Sequence, residues 1–214
     1  MDAIILAGGK GSRMNADKPK ALVEVQGKPI LAWQLDYILP HMKKIIIATG
    51  YKGEMIQQFI HEKYPGKNIE CAYENEPMGT AGALRNALLH SNADYVLVLN
   101  ADDLTNIPLK ELCNVKENTI CTCRPRLPFG LVKSRNGYAE FVEKPLLKER
   151  VSCGWYIFNR THIEAVLPKK GSLEYDVFPS LRLRVFSHNG FWQPLNSPKD
   201  VEQANETDLN KMIK

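Results

Sequence analysis

The chain has 214 residues, 44% hydrophobic and 24% charged, a globular balance with enough apolar material for a sizeable core. Its net charge of +4, from 28 basic and 24 acidic residues, contains no lysine–arginine block of the length a nucleic-acid arm needs, so nucleic acid is not an expected partner. No apolar stretch approaches the ~20 residues of a membrane span. The first apolar run ends at Gly8 without a leading basic region, so it is not read as a signal peptide and a cytoplasmic location is expected.

In chain order, DAIILA (2–7) is an apolar, β-branched run closed by Gly8-Gly9, the pattern of a buried strand. KPILAWQLDYIL (28–39) has apolar positions at helical spacing, with Pro29 suited to a first turn. Strand KIIIAT (44–49), a helix over 52–63, a strand over 68–73, a helix over 80–90 and strand DYVLVLN (94–100) follow. Strands and helices alternate to this point, and unbroken apolar strands imply burial on both faces. That is the pattern of an α/β, Rossmann-like doubly wound sheet, mostly parallel. Such sheets bind ligands at the carboxyl ends of their strands. The polar loops at 8–20 and 100–106 both leave carboxyl ends, so they are expected to face one crevice.

The second half reads differently. FGLVKS-RNG-YAEFVEKP is a hairpin with Asn136-Gly137 at its turn. VSCGWYIFN (151–159) is a strand, with a helix near 160–167 and a short helix in SLEYDVFPSL capped by Ser172. Two short strands near 183–193 and a helix from Pro198 complete a set of antiparallel additions to the sheet. The five cysteines, Cys71, Cys113, Cys121, Cys123 and Cys153, include Cys121-Thr-Cys123 on one face of a strand. A zinc site would need two further ligands that no nearby spacing supplies, so ordinary thiols are expected.

The stretch LAGGKGSRMNADKPK (6–20) decides the chemistry. Met14 stands where a dinucleotide fingerprint needs its third glycine, and Lys10 is followed by Gly11 where a P-loop needs Ser or Thr. Glycines that let the backbone approach a ligand, with Lys10, Arg13, Lys18 and Lys20 close by, suit a loop that seats polyanions. A plain solvated turn is the alternative.

LAGGKGSRM followed by KPKALVEVQGKPIL resembles the opening of the sugar-phosphate nucleotidyltransferases, the sugar-nucleotide pyrophosphorylases. The likeness continues through EPMGTAGALRNAL (76–88), YVLVLNADDL (95–104), FVEKP (141–145), SCGWYIFN (152–159) and SLEYDVFP (172–179), nearly the whole chain in the family's order. The resemblance implies one nucleotidyltransferase domain over 1–214, with 1–106 the nucleotide-binding half and 107–214 the sugar-phosphate half. It implies magnesium-dependent transfer of a nucleotidyl group from an NTP to a sugar 1-phosphate, with release of pyrophosphate. It further implies Arg13 and Lys20 as catalytic residues and Leu6, Ala7, Gly8, Gly9, Gly11, Ser12, Gly79, Thr80 and Ala81 around the nucleotide. Glu143, Lys144, Gly154, Glu174 and Asp176 would bind the sugar phosphate, and Asp102 the magnesium. Thr80 could also cap the helix start, and both roles can hold together. Dimers and tetramers are common in the family, so a homo-oligomer is compatible with the sequence.

One segment departs from the family. Members usually end in G-x-W-x-D-x-G-T-P, whose aspartate gives a second magnesium ligand. GFWQPLNSP (190–198) instead places Pro194 at the aspartate and Asn196 at the glycine. Either Asp102 holds the metal with Asp103 or water filling the gap, or catalysis is lost and a nucleotide or nucleotide-sugar is bound without turnover. A cytidylyltransferase acting on a non-sugar phosphate is a further alternative. SLEYDVFP leans toward heptose- and mannose-phosphate guanylyltransferases.

Overall fold

The computed structural model describes residues 1–11 and 17–213. In chain order the elements are β1 (Asp2–Leu6), β2 (Glu24–Val25), β3 (Lys28–Pro29), α1 (Ile30–Ile38), β4 (Ile45–Thr49), α2 (Gly53–Lys63), β5 (Ile69–Tyr73), α3 (Gly79–Leu88), β6 (Tyr95–Asn100), β7 (Asp103–Thr105) and α4 (Leu109–Cys113). They continue with β8 (Thr119–Cys123), β9 (Leu131–Arg135), β10 (Tyr138–Val142), β11 (Val151–Asn159), α5 (Arg160–Glu164), β12 (Arg184–Ser187), β13 (Trp192–Pro194), α6 (Pro198–Asn205) and α7 (Leu209–Met212). A single wide helical turn covers Leu173–Val177.

Seven strands form the central sheet in the order β12-β8-β11-β6-β1-β4-β5. β1 pairs in parallel with both β6 and β4, β4 with β5, and β12 with β8. β11 alone runs against its two neighbours. The antiparallel additions are therefore β11, the β9–β10 hairpin and the β7–β13 pair, whereas β8 and β12 keep the direction of the first strands.

Alternation along each strand splits its side chains between two cores. Ala3, Ile5, Ile45, Ile47, Leu97, Leu99, Trp155 and Ile157 face α1, α2 and α4. Ile4, Ile46, Val96, Val98, Tyr156 and Phe158 face α3, α5 and the turn at Leu173–Val177. A third, smaller cluster joins Val25, Ile30 and Trp33 to Leu195, Ala204 and Leu209, folding the end of the chain back onto the start.

Several local expectations shift. Pro29 is the residue before α1 rather than in its first turn, since its extended ψ of 143° cannot belong to a helix. Asn136 and Gly137 both take positive φ, 51° and 85°, the turn that matches strand twist. The helix near 160–167 closes after Glu164, and α7 has no counterpart in the sequence reading. Cys121, Cys123 and Cys153 are buried in the first core. No helix among the described residues is long and apolar enough to cross a membrane.

Leu97 lies fully buried at the centre of the sheet, whereas Leu89 is 77% exposed. Leu97→Ala is expected to cost about 3 kcal/mol from lost transfer energy and a cavity, and Leu89→Ala under ~0.5 kcal/mol. Urea titration of both variants checks the contrast, with the midpoint moving and the slope unchanged.

Candidate active site

The β1–β6 register sets Leu6 opposite Asn100, and Ala101 N–H donates to the Leu6 carbonyl at 3.2 Å. The two polar loops therefore leave adjacent strands side by side. Between them and the start of α3 opens a crevice of about 410 Å³. Leu6, Ala7, Gly8, Gly9, Gly11, Lys20, Gly79, Thr80 and Asp102 all line it. Ser12 and Arg13 lie outside the described residues.

Lys20 is the cation of the described part of the crevice. Its Nζ lies 2.5 Å from Asp102 Oδ2, with the side chains only 16% and 28% exposed. A sheltered pair of this kind has less solvent screening than a surface pair, and it holds both groups in place. Asp102 is positioned from beneath by Gln34 on α1. That side chain is 2% exposed, and its Nε2 donates to the carbonyls of Asn100 at 2.7 Å and Asp103 at 2.9 Å. Sequence reasoning passed over Gln34, although a lone amide among the apolar residues of ILAWQLDYI was the available signal.

Asp103 points the other way. Its Oδ1 accepts a 2.9 Å bond from Trp192 Nε1, and the residue is 6% exposed. Burial, reinforced by the charge of Asp102, pushes its carboxyl well above the usual range; the bond from Trp192 opposes this only in part. A carboxyl so enclosed is a poor metal ligand, which removes it as the group filling the gap left at Pro194. Pro194 pairs with Asp103 across β13 and β7 and brings no oxygen of its own side chain.

Gly154, expected on the sugar side, sits against this same carboxyl. It has φ +73°, and a Cβ there would lie 2.2 Å from Asp103 Oδ2 and 2.7 Å from Asn100 Nδ2. The β8–β11 register is broken between Ser152 and Tyr156, so the strand bulges where the glycine is needed.

At the start of α3, Gly79 has φ +71°, with a Cβ position 2.3 Å from the Gly171 carbonyl. The same carbonyl accepts Ala81 N–H at 3.0 Å. Ala81 is therefore fully buried and its N–H engaged, beside the crevice rather than lining it. Thr80 is no cap: its Oγ1 accepts from Leu173 N at 2.9 Å and donates to Glu174 Oε2 at 3.4 Å. Glu174 thereby reaches the crevice wall. Asp176 is spent locally, its Oδ2 accepting Ser172 N–H at 2.7 Å. Glu143 and Lys144 are exposed just beyond β10, 4.0 Å apart, and do not line the crevice.

Glu74 is the residue that sequence reasoning missed entirely. It lines the crevice at the carboxyl end of β5, and its Oε2 accepts Met78 N–H at 3.3 Å. Its Oε1 is buried without a hydrogen-bond partner. Burial raises its proton affinity, partly offset by the Met78 bond. An orphaned buried carboxylate oxygen costs free energy. Among the described residues no three His, Cys, Asp or Glu side chains gather as a metal cluster.

The family model described as Nucleotidyl transferase matches residues 2–181. The mannose-1-phosphate guanylyltransferase catalytic subunit beta of Drosophila melanogaster is 34% identical over 221 residues, 92% of this chain and 60% of that one. The mannose-1-phosphate guanyltransferase of Gibberella zeae is 31% identical over 225 residues, 94% of this chain and 62% of that one. The chain thus spans about 60% of the length of these curated relatives. The crystal structure of HddC from Yersinia pseudotuberculosis complexed with GMP-PN superposes with a TM-score of 0.80 at 26% identity, covering 96% of this chain and 98% of that one.

A side chain at Gly154 would meet both a strained left-handed φ and the Asp103 carboxyl. Gly154→Ala should cost about 3 kcal/mol, the sum of left-handed strain and overpacking. Gly9, with nothing within 4 Å of its Cβ position, should tolerate alanine within ~0.5 kcal/mol. Chemical denaturation of the two variants reads the difference.

Proposed function

We propose that this chain, which belongs to the nucleotidyl transferase family, transfers a nucleotidyl group from an NTP to a sugar 1-phosphate, releasing pyrophosphate. The observation that carries the reading is the crevice itself. It is built at the carboxyl ends of β1 and β6, and its described lining includes one sheltered lysine, one accessible aspartate and the Glu74 side chain. We further propose that the base is guanine. Glu74 presents acceptors only, and guanine is the base whose N1–H and exocyclic amine offer two adjacent donors to one carboxylate. The guanylyltransferase names of the relatives and the GMP-PN bound to HddC support the same base.

In this reading an oxygen of the sugar 1-phosphate forms the new bond to the α-phosphorus, and the bond to pyrophosphate breaks. The chain supplies no covalent nucleophile; it positions two anions and offsets their charge. Lys20, released from Asp102, turns its ammonium to the phosphates, with Arg13 the expected second cation. Thr80 and Glu174 lie where the wall of the crevice passes from nucleotide to sugar. A hard divalent cation, magnesium by family expectation, prefers oxygen donors. Asp102 is the carboxylate that fits it, and the cation would neutralise phosphate charge during transfer. The two halves, 1–106 and 107–214, would then act as one domain.

A second reading has its own observation. With Pro194 opposite Asp103 and Asp103 buried, the metal has one accessible aspartate here. A protein that binds a nucleotide-sugar without turnover would show that economy.

Pyrophosphate release with magnesium, for each NTP crossed with a panel of sugar 1-phosphates including mannose 1-phosphate, tests the proposal. Turnover with GTP is expected; GTP binding without pyrophosphate would select the second reading. Asp102→Ala should leave under ~1% of activity, and Lys20→Met should lower kcat/KM about 10²–10³-fold, the scale of one lost transition-state contact. Glu74→Gln should cut kcat/KM for GTP about 100-fold, since a charged hydrogen bond is lost and an amine donor faces another donor. An unchanged GTP preference in that variant would remove Glu74 as the base reader.

A further inference from the structure

The ammonium of Lys20 touches a second oxygen, on Asn196, a residue that the sequence motif marked only as standing at the family's glycine. Asn196 Oδ1 lies 3.3 Å from Lys20 Nζ, while Asp102 Oδ2 lies at 2.5 Å. Two oxygens from distant parts of the chain thus converge on one cation. The amide must face Lys20 with its oxygen, because its nitrogen would set donor against donor.

This placement is built. Pro194 ends the β13 pairing opposite Asp103. The next residue, Leu195, is fully buried in the third cluster, and its N–H donates to the Asp102 carbonyl at 2.8 Å. On the other side, Asn196 N–H donates to Asp200 Oδ2 at 2.9 Å. Ser197 N–H and Oγ–H donate to the same oxygen at 2.8 and 2.9 Å, closing the capping box of α6. The backbone of Asn196 is held by Asp200 on one side, and on the other the Leu195 N–H bond ties the segment to the carbonyl of Asp102.

We propose that Asn196 is a positioning residue: with Asp102 it forms a two-oxygen seat for a cation. The seat is filled by the Lys20 ammonium in the free chain and passes to the nucleotide's divalent cation when Lys20 turns to the phosphates. The inference rests on the nucleotidyltransferase reading above and adds the residue that reading leaves out. The charge balance follows from the donor set. The amide is neutral, so the seat carries one negative charge, matched by one ammonium. A divalent cation leaves an excess of one positive charge, which only the nucleotide phosphates offset. Metal and nucleotide are therefore expected to bind as a pair, each weak without the other.

The test is Mn²⁺ binding by electron paramagnetic resonance, with the full chain, in the presence and absence of a non-hydrolysable GTP analogue. Asn196→Asp adds a charge at constant shape and is expected to tighten Mn²⁺ about tenfold in both states, since ligand charge sets the affinity of oxygen sites. Asn196→Ala is expected to weaken it at least about threefold with the analogue present. Mn²⁺ affinities of the wild type and Asn196→Asp agreeing within twofold would overturn the seat. Because Asp and Asn are isosteric, that comparison stands even if the alanine variant fails to fold. Failure of the analogue to bind the wild type would instead overturn the guanine-nucleotide reading, and the titration of the free chain would still decide Asn196.

Discussion

The parallel pairing of β1 with β6 is the constraint on which the rest depends. It brings Leu6 beside Asn100, so that chain segments about 90 residues apart emerge together at the carboxyl ends of two inner strands. Both strands are apolar on both faces and stay in place because helices cover each side. Slipping either strand by one residue would exchange its two core faces. The crevice therefore inherits its geometry from the most strongly determined part of the molecule.

Around that frame, polar groups are arranged by what lies beneath them. Asp102 and Asp103 are neighbours in sequence with opposite fates. One turns to Lys20 at the crevice; the other is buried under Trp192 and against Gly154. Gln34 fastens the backbone of the turn from the α1 side. The end of the chain supplies Trp192, held by the β13–β7 pairing against the first core, and Leu195 and Asn196, anchored by the small third cluster through Leu195.

The chain belongs to the nucleotidyl transferase family, and its fold superposes on that of HddC. Within it, this chain exposes a single aspartate at the Lys20 side of the crevice and carries proline at residue 194. In the proposed reading, a site with one accessible carboxylate balances a lysine and would leave more of the holding of a divalent cation to the nucleotide phosphates.

Much of the fold was legible in the residues themselves. Runs such as DAIIL, IIIAT and YVLVLN, with glycines or asparagine at their ends, have one stable use: buried parallel strands. The glycine-rich, lysine-rich loop after the first of them suggested a candidate anion site for the same local reason, backbone freedom beside positive charge. What local pattern could not reveal were the side chains whose roles depend on distant partners. Nothing near Ala81 foretold that Gly171 would claim its N–H, or near Thr80 that Leu173 would use its hydroxyl. Glu74 reads as a polar strand end until the sheet turns its carboxylate into the crevice, and Asn196 reads as a loop residue until β13 carries it to Lys20. Periodicity and turn chemistry are properties of neighbours along the chain, so the sequence alone determined the elements and the kind of loop. Burial and charge pairing are properties of neighbours in space, so only the tertiary structure decided which carboxylate faces the crevice, which is sealed away, and which amide stands beside the lysine.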